Sequence, residues 1–107
     1  MELPKLVARF VETQNNYDSK SYVDCFTDSA IVHDEGKTHK GKTEILHWIE
    51  DANERYRSSM KPLKYEEANS KGVLTAEVSG TFPGSPLVLQ FHLGLKDNLI
   101  DSLNVTG

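Results

Sequence analysis

The sequence has little of what disulfide-stabilised, nucleic acid-binding or membrane-spanning proteins need. Its single cysteine, Cys25, cannot form an internal disulfide, and zinc-binding spacings are absent. Twelve Lys and Arg residues against sixteen Asp and Glu give a net charge of −4, whereas nucleic acid binding requires clustered positive charge. No apolar run approaches the ~20 residues that cross a bilayer, and residues 1–5 lack the features of a signal peptide. We therefore expect a cytoplasmic protein with neither nucleic acid nor membrane partners.

The composition is that of an ordinary globular protein, with 37% hydrophobic and 26% charged residues among 107. Domains most often contain about 100–150 residues, so we expect one domain over residues 1–107. A chain of this length buries about 60–70% of the surface that its unfolded form exposes, which supports a core without disulfides. The sequence contains no repeat, low-complexity segment or linker that would divide it.

Apolar residues at helical spacing predict three helices in the first half of the chain. Asn15 and Asn16 end the first helix, Asp18 can cap a shorter second helix, and a third follows Gly41. The apolar stripes are Leu3, Leu6, Val7, Phe10 and Val11 in the first helix, Tyr22, Val23 and Phe26 in the second, and Ile45, Trp48, Ile49, Ala52 and Tyr56 in the third. Each stripe needs a partner surface to bury it.

An apolar period of two predicts strands in the rest of the chain. Residues 30–34 are predicted as a short strand, residues 35–42 as a loop, and Pro62 ends the third-helix segment. The inward rows of the later strands are Leu63 and Tyr65; Leu74, Ala76, Val78, Gly80 and Phe82; Leu87, Leu89, Phe91, Leu93 and Leu95; and Leu99, Leu103 and Val105. Helices followed by consecutive strands indicate an α+β fold. We expect a cone-shaped, mixed or antiparallel curved sheet wrapped around three N-terminal helices, with an open mouth.

Landmarks along nearly the whole chain occur in a set order. They are Asn15 and Asn16 after the first helix, Asp18 and Phe26 at the ends of the second, residues 30–36, Gly41 before Ile45 and Trp48, and residues 80–86 before an apolar strand. This set resembles the SnoaL-like (polyketide cyclase-like) domains of the nuclear transport factor 2-like superfamily, and among them an uncharacterised bacterial branch. The resemblance implies a cystatin-like cone with a pocket, usually as a homodimer through the outer sheet face. It specifies the fold better than the activity, because the fold hosts isomerases, cyclases, hydrolases, dehydratases and non-catalytic domains.

Asp34 is the main candidate for chemistry. Strand alternation places Asp34 on the same face as Ala30 and Val32, so it lies at the rim of the cone if Val32 faces inward. Partial burial there would raise the pKa of its carboxyl toward the range of a general base. The resemblance adds that related steroid isomerases keep their proton-abstracting aspartate at this position. The alternative is a turn aspartate that accepts backbone hydrogen bonds in the loop it opens.

Other parts of the isomerase machinery are missing. By the resemblance, the tyrosine that donates to the oxyanion aligns with Phe10, and the second, proton-bearing aspartate falls near Phe91. Oxyanion stabilisation is usually the largest catalytic contribution, so ketosteroid isomerase activity is not expected. Both phenylalanines are instead expected to line the pocket.

Four further residues are candidates for the pocket wall. Tyr17, Trp48 and Tyr56 could offer aromatic surfaces with hydrogen-bonding tips, although such aromatics most often only fill a core. Asp101 shares a face with Leu103, so a regular strand would point its carboxylate at the core, where an unpaired charge is costly. Asp101 is therefore either a second pocket carboxylate or a residue near the strand start that reaches a lysine or solvent.

The histidines offer a weaker basis for a site. His33 has the right pKa range for acid–base chemistry, but alternation directs it away from Asp34 unless a bulge turns it inward. We therefore interpret His33 as a surface or interface residue, and His39 as a solvated loop residue. The possible metal ligands are His33, Asp34, His39 and His92. No two of them have a short ligand spacing and their faces diverge, so we expect no metal site.

The outward row of the later strands contains a few apolar residues. Val88 and Ile100 could form a sheet-to-sheet contact around Gln90 and His92, which would fit the dimer that the resemblance implies. The alternative is a solvated face with scattered apolar residues, which is common in monomers.

Taken with the resemblance, these features favour a protein that binds a small organic molecule in an apolar pocket, with Asp34 as polar anchor or general base. A catalysed reaction would be an isomerase-, cyclase- or hydratase-type proton transfer or water addition that needs no cofactor. The alternative is a non-catalytic, dimeric module that binds a ligand or a protein. An enzyme requires Asp34 inside a closed pocket with a donor about 3 Å from the reacting atom, whereas a module would have a filled or shallow cone.

Overall fold

Three helices and six strands form the fold in the computed structural model, which describes residues 2–107. In chain order they are α1 (Lys5–Asn15), α2 (Ser19–Val23), β1 (Phe26–Asp34), β2 (Lys37–Lys40), α3 (Gly41–Tyr56), β3 (Ser59–Ala68), β4 (Lys71–Ser79), β5 (Leu87–Lys96) and β6 (Leu99–Thr106). The strands form one sheet and the helices pack against it, which confirms the expected α+β class. None of the described helices has the length and apolarity needed to cross a membrane.

The sheet is mixed and irregular. Its strand order is β2-β1-β6-β5-β4-β3, and each neighbouring pair is antiparallel except β1 and β6, which are parallel. The pairing shifts register between residues 26 and 31, between 62 and 64, and between 94 and 95. Such irregularities bend strands and increase their twist. They account for the curvature with which the sheet surrounds the helices.

The core lies between the helices and the concave face of the sheet, with Phe10 at its centre. The Phe10 ring is completely buried, and its centroid lies 5.2 Å from that of Tyr22, 6.4 Å from that of Phe26 and 6.1 Å from that of Phe91. The other large, fully buried side chains are Phe26, Ile45, Leu74, Leu93, Ile100, Leu103, Val7, Val32 and Cys25. Leu74, Ala76 and Val78 are buried, which confirms the predicted alternation within β4. The strand ends at Ser79, so Gly80 and Phe82 of the predicted row lie in the connection to β5 and are only partly buried.

Side-chain hydrogen bonds fix the ends of the first two helices. Asp18 caps α2, as expected, by accepting a hydrogen bond from the backbone N–H of Ser21 at 3.2 Å. Asn15, the last residue of α1, pairs with the backbone of Met60: its Nδ2 donates to the carbonyl at 3.0 Å and its Oδ1 accepts from the N–H at 2.7 Å. The end of α1 is thereby tied to β3.

Four expectations about the strands are wrong. Residues 35–42 are not all loop, because Lys37–Lys40 forms β2; its mostly exposed, polar residues give no alternating signal. Phe26 begins β1 instead of closing the second helix. Pro62 lies inside β3, which tolerates proline because it is an edge strand. The register shift at Pro62 also leaves Leu63 46% exposed instead of in an inward row.

Two-residue turns connect three of the antiparallel strand pairs. They are Glu35-Gly36, Asn69-Ser70 and Asp97-Asn98, and both residues of each turn have a positive φ. This is the type I′ geometry, whose twist matches that of paired strands and which favours Asn, Asp and Gly. Glu35, with a φ of 53°, is therefore strained.

We expect the substitution Glu35→Asn to raise the free energy of unfolding by about 1 kcal/mol, because asparagine tolerates the left-handed conformation and precedes Gly36 in the preferred turn sequence. Urea denaturation measures this change. Glu35→Ala removes the same carboxylate without relieving the backbone, so this control should show no gain. A lower free energy of unfolding for Glu35→Asn than for the wild type would contradict the conclusion that Glu35 is strained in this turn.

Candidate functional site

A cavity of about 350 Å³ lies between α3 and the inner face of the sheet, and most of its wall is apolar. The apolar lining comes from α3, four strands and the connection between β4 and β5. Its residues are Trp48, Ile49, Ala52, Tyr56, Met60, Val78, Phe82, Pro83, Leu87, Leu89, Phe91 and Val105. The size and wall chemistry of this cavity are those of sites that take small organic molecules.

Asp34 ends β1 and borders this cavity. Ala30 and Val32, on the same face of the strand, are completely buried, which directs the next residue of that face toward the interior. The ion pairs within residues 2–107 are Lys42–Asp28, Arg55–Asp51 and Lys64–Glu66. None of them includes Asp34, so its half-buried carboxylate has no directly paired cation in this part of the chain.

The surroundings of Asp34 make its carboxyl harder to ionise than an exposed one. Burial raises the pKa of the Asp34 carboxyl above its usual value, and the charge of Glu35 adds to this effect. Hydrogen bonding from the Trp48 side chain and the Glu35 backbone, and the proximity of His39, lower the pKa but do not cancel the effect of burial. A carboxyl with a raised pKa beside an apolar cavity is a common feature of functional sites.

Tyr22 places a hydroxyl at the same cavity. Its side chain is only 2% exposed and lines the cavity wall. No hydrogen-bond partner of this hydroxyl occurs among residues 2–107, and no fully buried polar side-chain atom in that range lacks a partner. The hydroxyl is therefore accessible, and it opens onto the cavity. Burial, followed by the charges of Cys25 and Asp34, raises the pKa of Tyr22 well above its usual value, so the phenol remains a hydrogen-bond donor.

We expect Tyr22→Phe to leave the free energy of unfolding within about 1 kcal/mol of the wild-type value, because no hydrogen bond within the described chain is lost. Urea denaturation measures it. If the Tyr22 hydroxyl made a hydrogen bond that stabilises the fold, Tyr22→Phe would lower the free energy of unfolding by more than this. Such a result would contradict the conclusion that the hydroxyl is accessible and faces the cavity.

Gln14 contributes an amide oxygen to the cavity. The side chain is 6% exposed, and its Nε2 donates to Asn53 Oδ1 at 3.1 Å and to the carbonyl of Ser58 at 3.0 Å. Asn53 Nδ2 in turn donates to Ser19 Oγ at 3.1 Å, which fixes the orientation of both amides. Gln14 Oε1 has no partner in the described chain and, by the argument used for Tyr22, faces the cavity as a free acceptor.

Trp48 and Tyr56 present aromatic surfaces to the cavity from α3. The His39 ring stacks on Trp48 with a centroid distance of 5.6 Å. The Tyr56 hydroxyl accepts a hydrogen bond from Arg55 Nη2 at 2.9 Å and donates to Glu35 Oε1 at 3.4 Å. These contacts hold both aromatic rings in place at the edge of the cavity.

Solved structures with the same architecture identify the family. A candidate polyketide cyclase from Sinorhizobium meliloti is 32% identical to this chain and has a TM-score of 0.93, with 97% of this chain and 95% of that chain covered. The chain belongs to the SnoaL-like family of the nuclear transport factor 2-like superfamily.

More distant structures share the fold of this SnoaL-like protein. A protein with a ketosteroid isomerase-like fold from Catenulispora acidiphila, in complex with trimethylamine, has a TM-score of 0.88 at 16% identity, covering 99% of this chain and 87% of its own. A nuclear transport factor 2-like protein from Cytophaga hutchinsonii has a TM-score of 0.81 at 14% identity, covering 99% and 91%. At such identities the likeness concerns the fold alone. No protein-family model and no curated protein sequence matches the chain.

The SnoaL-like protein brings Asp34, Trp48, Tyr56 and Phe91 to one cavity, whereas Phe10 and Tyr17 lie outside its lining. Phe10 occupies the centre of the core, where neighbouring aromatic rings cover it. Tyr17 lies at the surface and donates its hydroxyl to the carbonyl of Arg57 at 2.9 Å, where it holds the end of α3. Neither residue has contact with the cavity, in contrast to the expectation for both.

Asp101 also lies outside the cavity lining, because β6 is not a regular strand. The pairing of β5 with β6 shifts between residues 94 and 95, and Asp101 has no partner across it. Ile100 and Leu103 are the buried residues on either side of this shift. Asp101 accepts a hydrogen bond from Thr27 Oγ1 at 2.7 Å, so neither a pocket carboxylate nor a lysine partner is needed to explain it.

The outer sheet face differs from the expected one. Ile100 is completely buried, so its predicted contribution to a contact between sheets is wrong. The same irregularity in β6 explains this, since it turns Ile100 toward the core. Val88 does lie on the surface, where it is 53% exposed.

The histidines do not converge on a site. His33 is exposed, and its Nδ1 lies 3.2 Å from Thr38 Oγ1 on the strand face opposite Asp34. His39 stacks on Trp48 instead of standing free in a loop, because residues 37–40 form a strand. Across residues 2–107, no group of three or more His, Cys, Asp or Glu side chains is arranged to hold a metal ion.

Two polar residues of the cavity, Gln14 and Tyr22, were not predicted from the sequence as site residues. The spacing of α1 does indicate that Gln14 is buried, because it follows Phe10 by four positions and Val7 by seven and so lies on the buried stripe of the helix. A polar residue on such a stripe must find a buried hydrogen-bonding partner or a cavity. Tyr22 lies within the apolar stripe of α2, and its position alone does not distinguish a core phenol from one that reaches a cavity.

Proposed function

We propose that this SnoaL-like protein binds a small organic molecule in the cavity, with Asp34 as the polar anchor or general base. The observation that carries the proposal is the half-buried, unpaired Asp34 carboxylate at the wall of an otherwise apolar cavity. An unpaired carboxylate in such surroundings is unfavourable for folding, and binding or proton transfer gives a reason for its presence.

In the catalytic form of the proposal, Asp34 exchanges a proton with the bound molecule, and the reaction is an isomerisation, a cyclisation or an addition or elimination of water. The raised pKa of Asp34 suits this role, because a general base works best when its pKa lies near the working pH. The Tyr22 hydroxyl supplies a hydrogen-bond donor for the charge that develops on the substrate. No organic cofactor is needed for such a proton transfer.

The comparisons support the proposal at the level of the family. The relative from Sinorhizobium meliloti is described as a candidate polyketide cyclase, an enzyme class that acts on small organic molecules. The structure from Catenulispora acidiphila contains trimethylamine, which is itself a small organic ligand.

The second candidate function is a non-catalytic, dimeric binding module. Phe10 and Phe91 favour it, because neither can supply the hydrogen bonds expected of the related isomerases. Val88, exposed on the outer face of β5, would contribute to a contact between two copies. Sedimentation equilibrium tests this contact: a dimer that Val88→Glu dissociates would support it, and a monomer at all concentrations would contradict it.

A thermal-shift screen of a metabolite library, run in parallel on the wild type and on Asp34→Asn, tests the proposed function. A ligand at about one hundred times its Kd stabilises the folded state by about 2.7 kcal/mol, which raises the Tm by several degrees. We expect ligands that raise the Tm of the wild type but not of Asp34→Asn.

The matched control for the screen is Asp28→Asn, a change of the same charge on the same strand. The Asp28 side chain is 98% exposed and does not line the cavity, so this variant should respond to ligands as the wild type does. Ligands that stabilise all three proteins equally would contradict the role of Asp34. A library without any stabilising ligand would contradict the proposed function.

A further inference from the structure

The charged residues that line the cavity are all acidic. Asp34 and Glu35 belong to the lining, and within residues 2–107 no Lys, Arg or His does. Arg55, which contacts Tyr56 from outside, is held there by Asp51, with 3.1 Å between Nη1 and Oδ2. The charges on the cavity lining itself are therefore negative, while His39 lies close to Asp34, and Arg55 close to Glu35, outside the lining.

The uncharged polar groups of the cavity add a further acceptor. Gln14 is more than nine-tenths buried, and both hydrogens of its amide nitrogen are used by Asn53 and Ser58. Its free oxygen, Oε1, can only accept a hydrogen bond. With the carboxylates of Asp34 and Glu35, it gives the cavity three residues that only accept, beside the hydroxyls of Tyr22, Ser58 and Ser59, which can donate. A ligand with N–H or O–H donors matches this pattern.

Five of the residues that line the cavity are aromatic. Tyr22, Trp48, Tyr56, Phe82 and Phe91 all line the cavity. Aromatic rings attract cations through their quadrupole, most strongly where water is excluded. The rings contribute apolar contact area to any organic ligand and stack with aromatic ones, and they add a further attraction for a positively charged group.

We infer that the molecule bound in this cavity is an organic ammonium ion, a protonated amine on an apolar body whose N–H groups face Asp34. This inference rests on the proposed function and assigns Asp34 the anchoring role in it. The ammonium group neutralises the unpaired carboxylate, donates to the free acceptors and lies against the aromatic wall. A neutral ligand of the same shape can donate to the free acceptors and pack against the aromatic rings, but it cannot neutralise the carboxylate. An anion is repelled by Asp34 and Glu35.

Three matched probes test the inference: phenethylamine, which is protonated at neutral pH, phenethyl alcohol, which is neutral, and hydrocinnamate, which is an anion. Calorimetric titration gives the Kd of each, and NMR shifts of the Trp48 indole N–H report whether the probe occupies this cavity. For the wild type we expect the amine to bind about tenfold more tightly than the alcohol. Hydrocinnamate should bind most weakly.

The variants separate the anchoring charge from the shape of the cavity. In Asp34→Asn the amine should lose its advantage, so that its Kd lies within about threefold of that of the alcohol. The alcohol should still bind, which shows that the variant is folded and its cavity intact. Asp28→Asn, with its substituted residue almost fully exposed, should keep the tenfold preference.

Each other outcome overturns the inference. An alcohol that binds as tightly as the amine, or an anion that binds most tightly, would contradict it while supporting the proposed function, since the cavity would still take an organic ligand. A preference for the amine that persists in Asp34→Asn would contradict the anchoring role. If none of the three probes binds, the ammonium inference is wrong, and the library screen decides on the proposed function independently.

Discussion

Replacing Phe10 with alanine is expected to lower the free energy of unfolding by about 3–5 kcal/mol. The ring is completely buried and packs against the rings of Tyr22, Phe26 and Phe91, so its removal leaves a cavity that the surrounding aromatics cannot fill. Since domains of this kind have a total stability of about 5–15 kcal/mol, much of it would be lost. Urea denaturation measures the change.

The control for this substitution is Leu63→Ala. Leu63 is 46% exposed at the irregularity of β3, and its truncation should change the free energy of unfolding by less than about 0.5 kcal/mol. A cost of less than about 1 kcal/mol for Phe10→Ala would mean that the ring is not part of a packed core. It would then contradict the placement of Phe10 outside the cavity.

Replacing Asp34 with asparagine is expected to stabilise the folded protein at neutral pH, in contrast to most substitutions of partly buried residues. Burial, and then the charge of Glu35, raise the pKa of the Asp34 carboxyl in the folded state. The contribution of Asp34 to stability is therefore fully present below its unfolded-state pKa of about 3.9 and is lost as the pH rises through the folded-state pKa. Asparagine does not ionise as the pH rises, so it avoids this loss.

The Tm difference between Asp34→Asn and the wild type should therefore grow as the pH is raised from acidic values and level off above the folded-state pKa. Thermal denaturation across this range measures it, and Asp28→Asn is again the matched control, without such a gain. A variant that is less stable than the wild type at neutral pH would show that the ionised carboxylate is well stabilised in the fold. Together with lost ligand binding, the expected gain would mark Asp34 as a residue kept for function at the expense of stability.

The helices of this fold could be predicted from the sequence because their signals are local. The apolar stripe of α1, the cap at Asp18 and the left-handed Gly41 at the start of α3 each depend on a few neighbouring residues. The alternation in β4 is similarly direct, since one of its faces is buried along its length. For these elements the pattern of side chains and the observed structure agree.

The strand features that were predicted wrongly depend on pairing with neighbouring strands. The residues of β2 are polar and mostly exposed, so β2 is formed by pairing with β1 and not by an apolar face of its own. The position of Ile100 in the core, and of Asp101 beside Thr27, follows from a register shift against β5. A register shift changes which residues face inward, and single-strand alternation does not reveal it.

The residues of the candidate site also divide into those that a local pattern predicts and those that depend on the surrounding structure. Asp34 could be selected because it continues the buried face of β1 after Ala30 and Val32. The helices and strands around Tyr22 and Gln14 determine where the polar ends of their side chains point. The sequence therefore did not predict either of them as a site residue. The acidic character of the cavity lining also emerges only in three dimensions, because Arg55 lies beside Tyr56 in the chain but is paired with Asp51 outside the lining.

The central claim is that Asp34 lies beside an apolar cavity as an unpaired, poorly solvated carboxyl. Titration of its side-chain carboxyl carbon by NMR, assigned by comparison with Asp34→Asn, tests this claim most directly. The account predicts a midpoint above the value of about 3.9 that aspartate has in model peptides. A midpoint at or below that value would mean that water or a cation stabilises the charge, and it would contradict the account.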